Sequence, residues 1–167
     1  MTAGDDTPLG SAMRAGDRAA LDRIARDRPG IARDAGVFLD AVALCPAATV
    51  RWCLDNGADP NLPADDGFPS LHLAIDRAGP DRAEVVALLL GHGADADQRG
   101  ANDWTPLHRA ACQGTAPLDI IALLIDSGAD RTVRTRIDDF ATPEEEARHL
   151  GHVKAADFLR DYRGTRR

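Results

Sequence analysis

Apolar residues along the chain gather in short runs of helical spacing, each closed by a glycine. Val50-Arg51-Trp52-Cys53-Leu54, Val85-Val86-Ala87-Leu88-Leu89-Leu90 and Ile120-Ile121-Ala122-Leu123-Leu124-Ile125 lead into Asn56-Gly57-Ala58-Asp59, His92-Gly93-Ala94-Asp95 and Ser127-Gly128-Ala129-Asp130. The glycines recur at intervals of 93 − 57 = 36 and 128 − 93 = 35 residues. A glycine suits that place, because helices commonly end on a residue in the left-handed region, which glycine enters without steric cost. A period of this size marks a repeat architecture, in which one unit cannot bury its apolar face alone and neighbours supply the missing cover. The runs are helical in period and their breaks are Gly and Pro, so the pattern predicts a helix-dominated chain with no sheet beyond short turns.

A second pattern precedes the runs. Trp104-Thr105-Pro106-Leu107-His108-Arg109-Ala110-Ala111 holds Thr-Pro-Leu-His followed by x-Ala-Ala, and this resembles the opening of an ankyrin repeat. Phe68-Pro69-Ser70-Leu71-His72-Leu73-Ala74 aligns with it, with Pro69-Ser70 replacing Thr-Pro, so the capping hydroxyl of that repeat is displaced or supplied differently. Ala141-Thr142-Pro143-Glu144-Glu145-Glu146-Ala147 through Gly151-His152 looks like a terminal repeat, where Glu144 in place of leucine fits a polar cap. Phe38, Ala41 and Val42 take the Leu and Ala positions of an earlier unit, and Leu9-Gly10-Ser11-Ala12 with Gly16-Asp17 looks like a degenerate first one.

The resemblance implies an all-α ankyrin-repeat solenoid, helix-turn-helix units stacked side by side and joined by hairpin fingers. It covers nearly the whole chain as one domain of five units, 7–33, 34–63, 64–100, 101–136 and 137–163, with a basic tail at 164–167. Extra residues at Ala78-Gly79-Pro80-Asp81-Arg82 and Gly114-Thr115-Ala116-Pro117 read as extended loops between paired helices, on the side opposite the fingers. Within a unit, Thr-Pro starts the first helix: the threonine oxygen accepts an orphan N–H, and proline has none to lose.

Composition sharpens this picture. The 167 residues fit one domain or one short repeat array, and the formal net charge of −7 argues against unspecific binding to nucleic acid or to an anionic membrane. All but Lys154 of the basic residues are arginine, which reads as the codon bias of a GC-rich bacterial genome. No apolar run approaches the roughly 20 residues of a membrane span. Met1 to Gly10 lacks the basic start of a secretory signal, and Cys45, Cys53 and Cys112 form no disulfide framework, so the reading is cytoplasmic with free thiols.

Candidate chemistry is sparse. In the resembled repeat the histidine at the place of His72 and His108 is structural, hydrogen-bonding between a finger and neighbouring backbone. His108 and Cys112 are four apart on one helix and share a face, so an atypical enzyme site around Cys112, His108 and Asp76 is one alternative, although a third group to orient the base is not apparent. His149 and His152 have metal-ligand spacing, but Gly151 interrupts it. Arg131, Arg134 and Arg136 with Arg163, Arg166 and Arg167 form a late basic concentration, read first as a solvated end face and second as a nucleic-acid contact.

The preferred function is a non-catalytic protein-binding module, without cofactor or metal, that grips one protein partner through its concave groove and finger tips as a small regulator or inhibitor. Neither membrane nor oligomer is implied, and nucleic acid is disfavoured. By alignment with the family's variable positions, the contact residues are Asp65, Asp66 and Phe68 on one finger, Asn102 and Trp104 on the next, and Asp138 and Asp139 on the last. Arg14, Asp76, Arg77, Cys112, Gln113 and His149 join them from the inner helices. Trp104 is expected to show a largely exposed face and Trp52 to be packed between helices.

Overall fold

The three longest apolar runs stop where the backbone turns left-handed, and this sets where their helices end. In the computed structural model, which describes residues 7–64, 67–113, 117–136 and 140–164, Gly57, Gly93 and Gly128 have φ of 86°, 91° and 98°. The amide of the following alanine reaches back to the helix in each case: Ala58 N to Cys53 O, Ala94 N to Leu89 O and Ala129 N to Leu124 O, all at 3.0 Å. Carbonyls that the helix end would orphan are thereby paired, and any side chain with a Cβ at the glycine would be strained.

The described residues form ten helices: α1 (Pro8–Ala15), α2 (Arg18–Asp27), α3 (Ala35–Leu44), α4 (Ala47–Asp55), α5 (Ser70–Asp76), α6 (Arg82–Gly91), α7 (Pro106–Ala111), α8 (Leu118–Asp126), α9 (Pro143–His149) and α10 (Val153–Asp161). A 3₁₀ turn, Ile31–Arg33, links α2 to α3. Odd-numbered helices pack on the even-numbered helix that follows, α3, α5, α7 and α9 pack in a row, and α2, α4, α6, α8 and α10 form a second row behind them. This is the all-α solenoid of two helical layers. Among the described residues the one β feature named is an isolated antiparallel bridge between Pro63 and Pro69, and no helix is long and apolar enough to cross a membrane.

Helix starts follow the Thr-Pro rule. Pro8, Pro106 and Pro143 each open a helix behind a threonine. Thr7 Oγ1 accepts from Gly10 N at 3.0 Å, and Thr142 and Glu145 close a reciprocal box in which Glu145 Oε2 accepts from Thr142 N at 2.9 Å. At α7 the partner is a histidine: Thr105 Oγ1 lies 2.8 Å from His108 Nδ1. The α5 start shows what the missing threonine costs. The Ser70 hydroxyl donates to Pro60 O instead, and His72 Nδ1 is buried without a hydrogen-bond partner.

The core runs between the two rows. Phe38, Leu71 and Leu107 from the inner helices meet Trp52, Leu89 and Leu124 from the outer ones, all essentially inaccessible to water. Alanines at 41, 74, 110, 111 and 147 are fully buried and let neighbouring inner helices approach. Trp52 is buried as expected, and its Nε1 donates to Asp22 Oδ1 at 2.8 Å.

Fingers join each outer helix to the next inner one and stack on each other through a side-chain ladder. Asp59, Asp95 and Asp130 each fold back on an amide two residues on, at 2.8 to 2.9 Å. Between fingers, Asn61 Oδ1 accepts from Asp95 N at 2.8 Å and Asp97 Oδ1 accepts from Asp130 N at 3.0 Å. The ladder repeats with the period of the sequence and fixes where the finger tips sit. The 77–81 loop leaves α5 and touches the preceding unit, where Asp81 Oδ2 accepts from Ala47 N at 3.0 Å; Gly114, Thr115 and Ala116 of the second extended loop lie outside the described residues.

Candidate functional site

On the inner-helix row, side chains from three elements meet at one place. Arg109 on α7 donates through Nε to both carboxylate oxygens of Asp76 on α5, at 2.8 and 2.9 Å, and its Nη2 makes a further short bond to Oδ2. Gln113 Nε2 reaches the same carboxylate at 2.9 Å and Ile75 O at 3.2 Å. Above the guanidinium lies the ring of Phe68 from the finger, its centroid 5.2 Å from Arg109 Cζ, within the range of a cation–π contact. Phe68, Asp76 and Gln113 are thus brought together, and Arg109, which alignment did not select, is the residue that joins them. Its signal in the sequence is only its spacing, one place after His108 on a helix whose other residues are apolar.

Phe68 is half-buried. It packs on His72, ring centroids 5.8 Å apart, and a Cβ added to Gly100 would strike its ring at 2.7 Å. The ring therefore abuts Gly100 of the next finger, with Arg109 over one face. Trp104 is also half-buried, which corrects the expectation of a largely exposed face, and Asn102 Oδ1 folds back on Trp104 N at 3.3 Å.

Arg77 moves out of the contact surface. Its side chain is 4% exposed, and its guanidinium donates at 2.8 Å to Val42 O and Cys45 O at the end of α3 and pairs with Asp81 at 3.0 Å. A guanidinium at a helix C-terminus meets orphan carbonyls and the negative end of the helix dipole, which is why a buried charge is tolerated there. His149 is exposed at the end of α9, and Cys112 is half-buried at the end of α7. Asp65, Asp66, Asp138 and Asp139 lie outside the described residues.

The Cys112, His108 and Asp76 alternative loses its geometry. His108 is fully buried with both nitrogens engaged, Nδ1 with Thr105 and Nε2 donating to Ala141 O at 3.1 Å, and burial holds its pKa below the ordinary value. Burial and the nearby Glu146 push the Cys112 thiol up to about 12, the opposite of an activated nucleophile. Asp76 is spent on Arg109 and Gln113. His149 and His152 flank Gly151, and the described residues hold no group of three or more side chains placed to bind a metal.

Two features escaped sequence reasoning. Leu44 is 77% exposed and Leu150 51% exposed, and both stand at the Gln113 register, six residues after the Leu position of their inner helix. Asp103, at φ 64°, is buried between Arg99 (2.8 Å) and Arg136 (2.7 Å), whose hydrogen bonds draw its pKa down. It ties one finger to the next, and nothing in the local pattern distinguishes it from the other finger aspartates.

Comparison with known proteins agrees with the repeat. A family model described as ankyrin repeats matches residues 39–135 in three copies. The RelA-associated inhibitor of Mus musculus is 31% identical over 128 residues, 75% of this chain and 15% of that protein. Protein phosphatase 1 regulatory subunit 27 of Mus musculus is 45% identical over 65 residues, 39% of each chain. A putative ankyrin repeat protein of Rickettsia felis is 32% identical over 82 residues, 48% of this chain and 36% of that one. The matches therefore span well under half the length of these relatives.

Proposed function

The chain belongs to the ankyrin-repeat family, and we propose that it is a non-catalytic protein-binding module, gripping one protein partner with the groove beside its inner helices and with its finger tips. The observation that carries this reading is the patch of Phe68, Arg109, Asp76 and Gln113, contributed by three separate elements and held rigid by its own hydrogen bonds. A preorganised aromatic and guanidinium pair loses little side-chain entropy on association, and such residues dominate interface energetics. Asn102, Trp104, Cys112 and His149 extend the same face, as do Leu44 and Leu150 by register, and Asp65, Asp66, Asp138 and Asp139 complete the proposed finger contacts. Cys112 serves there as a packing surface, not a nucleophile.

Binding alone would then inhibit, recruit or assemble the partner. Two relatives, an inhibitor and a phosphatase regulatory subunit, are consistent with that mode of action. A cytoplasmic setting fits the three free thiols. The test is titration of the protein that co-purifies with the native chain against Trp104→Ala and Arg109→Ala. Each should weaken binding by about 2 kcal/mol or more, on the order of thirtyfold, at a temperature where both variants are folded. Unchanged affinity in both variants would remove the inner-helix face from the interface.

A further inference from the structure

Arginines crowd the C-terminal third in the sequence, yet among the described residues most of them have partners there. Arg134 pairs with Glu145 at 2.7 Å, Arg136 with Asp103 at 2.7 Å, Arg148 with Glu144 at 3.0 Å and Arg160 with Asp161 at 2.8 Å, while Arg131 donates to Leu159 O and Tyr162 O. The opposite end of the stack differs. Arg23, Arg26, Arg28 and Arg33 are exposed on α2 and the turn after it, and none has an acidic partner among the described residues. The neighbouring carboxylates make other hydrogen bonds, Asp17 accepting from Ala20 N, Asp34 from Val37 N and Asp22 from the Trp52 indole; they keep their charge, but none forms an ion pair with these four guanidiniums among the described residues. Arg28 and Arg33 line a cleft of about 300 Å³ formed with Pro29, Gly30, Ile31 and Asp34.

We propose that this arginine face is a second docking surface, which receives a short acidic segment of a protein partner, carboxylates entering the forks of Arg28 and Arg33 and running along α2 to Arg26 and Arg23. Guanidinium forks match carboxylates two bonds at a time. Arg23 and Arg26, three apart on a helix, sit roughly 5–6 Å from one another, and alternate side chains of an extended peptide recur at roughly 6.6–7 Å, so successive arginines can meet successive carboxylates on one face. A nucleic acid strand is the poorer fit. The chain carries −7 overall, so a long polyanion extending beyond the patch would meet a net negative surface.

The proposal rests on the chain being a protein-binding module but not on which residues of the groove make contact. The probe is a labelled oligoglutamate of about ten residues, followed by anisotropy with the full chain at low and at physiological salt. Binding should weaken as salt rises, and the double variant Arg28→Gln, Arg33→Gln should weaken it by about threefold to tenfold. Arg134→Gln with Arg160→Gln removes the same charge from paired arginines and should leave it unchanged. Equal losses from the two double variants, absence of salt-dependent binding, or tighter binding of a single-stranded oligonucleotide of equal charge would overturn the proposal. None of those outcomes touches the groove reading, which fails or stands on the Trp104→Ala titration.

Discussion

His72 and His108 occupy the same place in successive units and differ in what reaches Nδ1. Both donate through Nε2 to backbone of a neighbouring finger, at 3.1 Å to Gln98 O and Ala141 O, but only His108 receives a hydroxyl at Nδ1. Thr105→Val removes the hydroxyl and leaves His108 Nδ1 the Thr105 amide, 3.3 Å away, so it should cost about 1 kcal/mol, measured by denaturant melts. Burial also drives the His72 pKa down to about 4 from 6.5. Because the folded value lies below the unfolded one, the unfolded chain takes the proton first as pH falls. The stability is fully present above pH 6.5 and is lost between there and about pH 4, a difference of roughly 3 kcal/mol at about 1.4 kcal/mol per unit. His108, also lowered by burial, adds in the same direction. Melts from pH 7.5 to 4.5 should show this loss, and His72→Gln should flatten the curve; an unaltered slope would mean that His72 does not titrate with unfolding.

At the scale of elements, the outer helices and the finger ladder give opposite substitutions. Trp52→Ala should cost about 3–5 kcal/mol through lost burial and a residual cavity, and it also strips Asp22 of its indole donor. In the ladder, Asp97 stands where the preceding finger has Asn61, yet both serve the same amide of the following turn. Burial raises the Asp97 pKa, and Asp130 and Asp95 nearby add to the rise. A carboxyl raised on folding destabilises the fold once ionised, so Asp97→Asn should stabilise the protein near pH 7 by a few tenths of a kcal/mol, and the gain should vanish below about pH 4. Melting of the variant at both pH values checks the sign. Helix starts, helix ends and this period were legible from Thr-Pro, Gly-Ala-Asp and apolar spacing, since each depends on residues within one turn of each other. Trp104 was misjudged because its exposure depends on how the fingers stack, a contact made one repeat away.

Over the whole molecule, what the sequence hid is pairing across repeats. A buried Arg77 and the bond from Asp103 to Arg136 depend on groups 35 and 33 residues distant, which composition and local pattern do not register. Arginine density likewise says nothing of pairing: Arg134, Arg136, Arg148 and Arg160 each meet a carboxylate, while Arg23, Arg26, Arg28 and Arg33, on α2 and the turn after it, meet none among the described residues. Of the candidate surface, Phe68, Asp76 and Gln113 were found by position, and Arg109 was missed because its role comes from a carboxylate on the neighbouring helix.

Arg77 and Asp81 cross from one pair of helices to the pair before it, the first onto carbonyls of α3 and the second onto the amide that opens α4. Stacks of this kind open joint by joint, since each unit touches only its neighbours. This joint is clasped by directional bonds in addition to apolar contact, so α3 to α6 should behave as a single opening block, and fraying from either end should halt at its edge. Native-state hydrogen exchange should give the amides of α4 and α6 one shared opening free energy. Arg77→Gln should split that value into two, separated by about 2 kcal/mol, and so turn one cooperative block into a hinge between two.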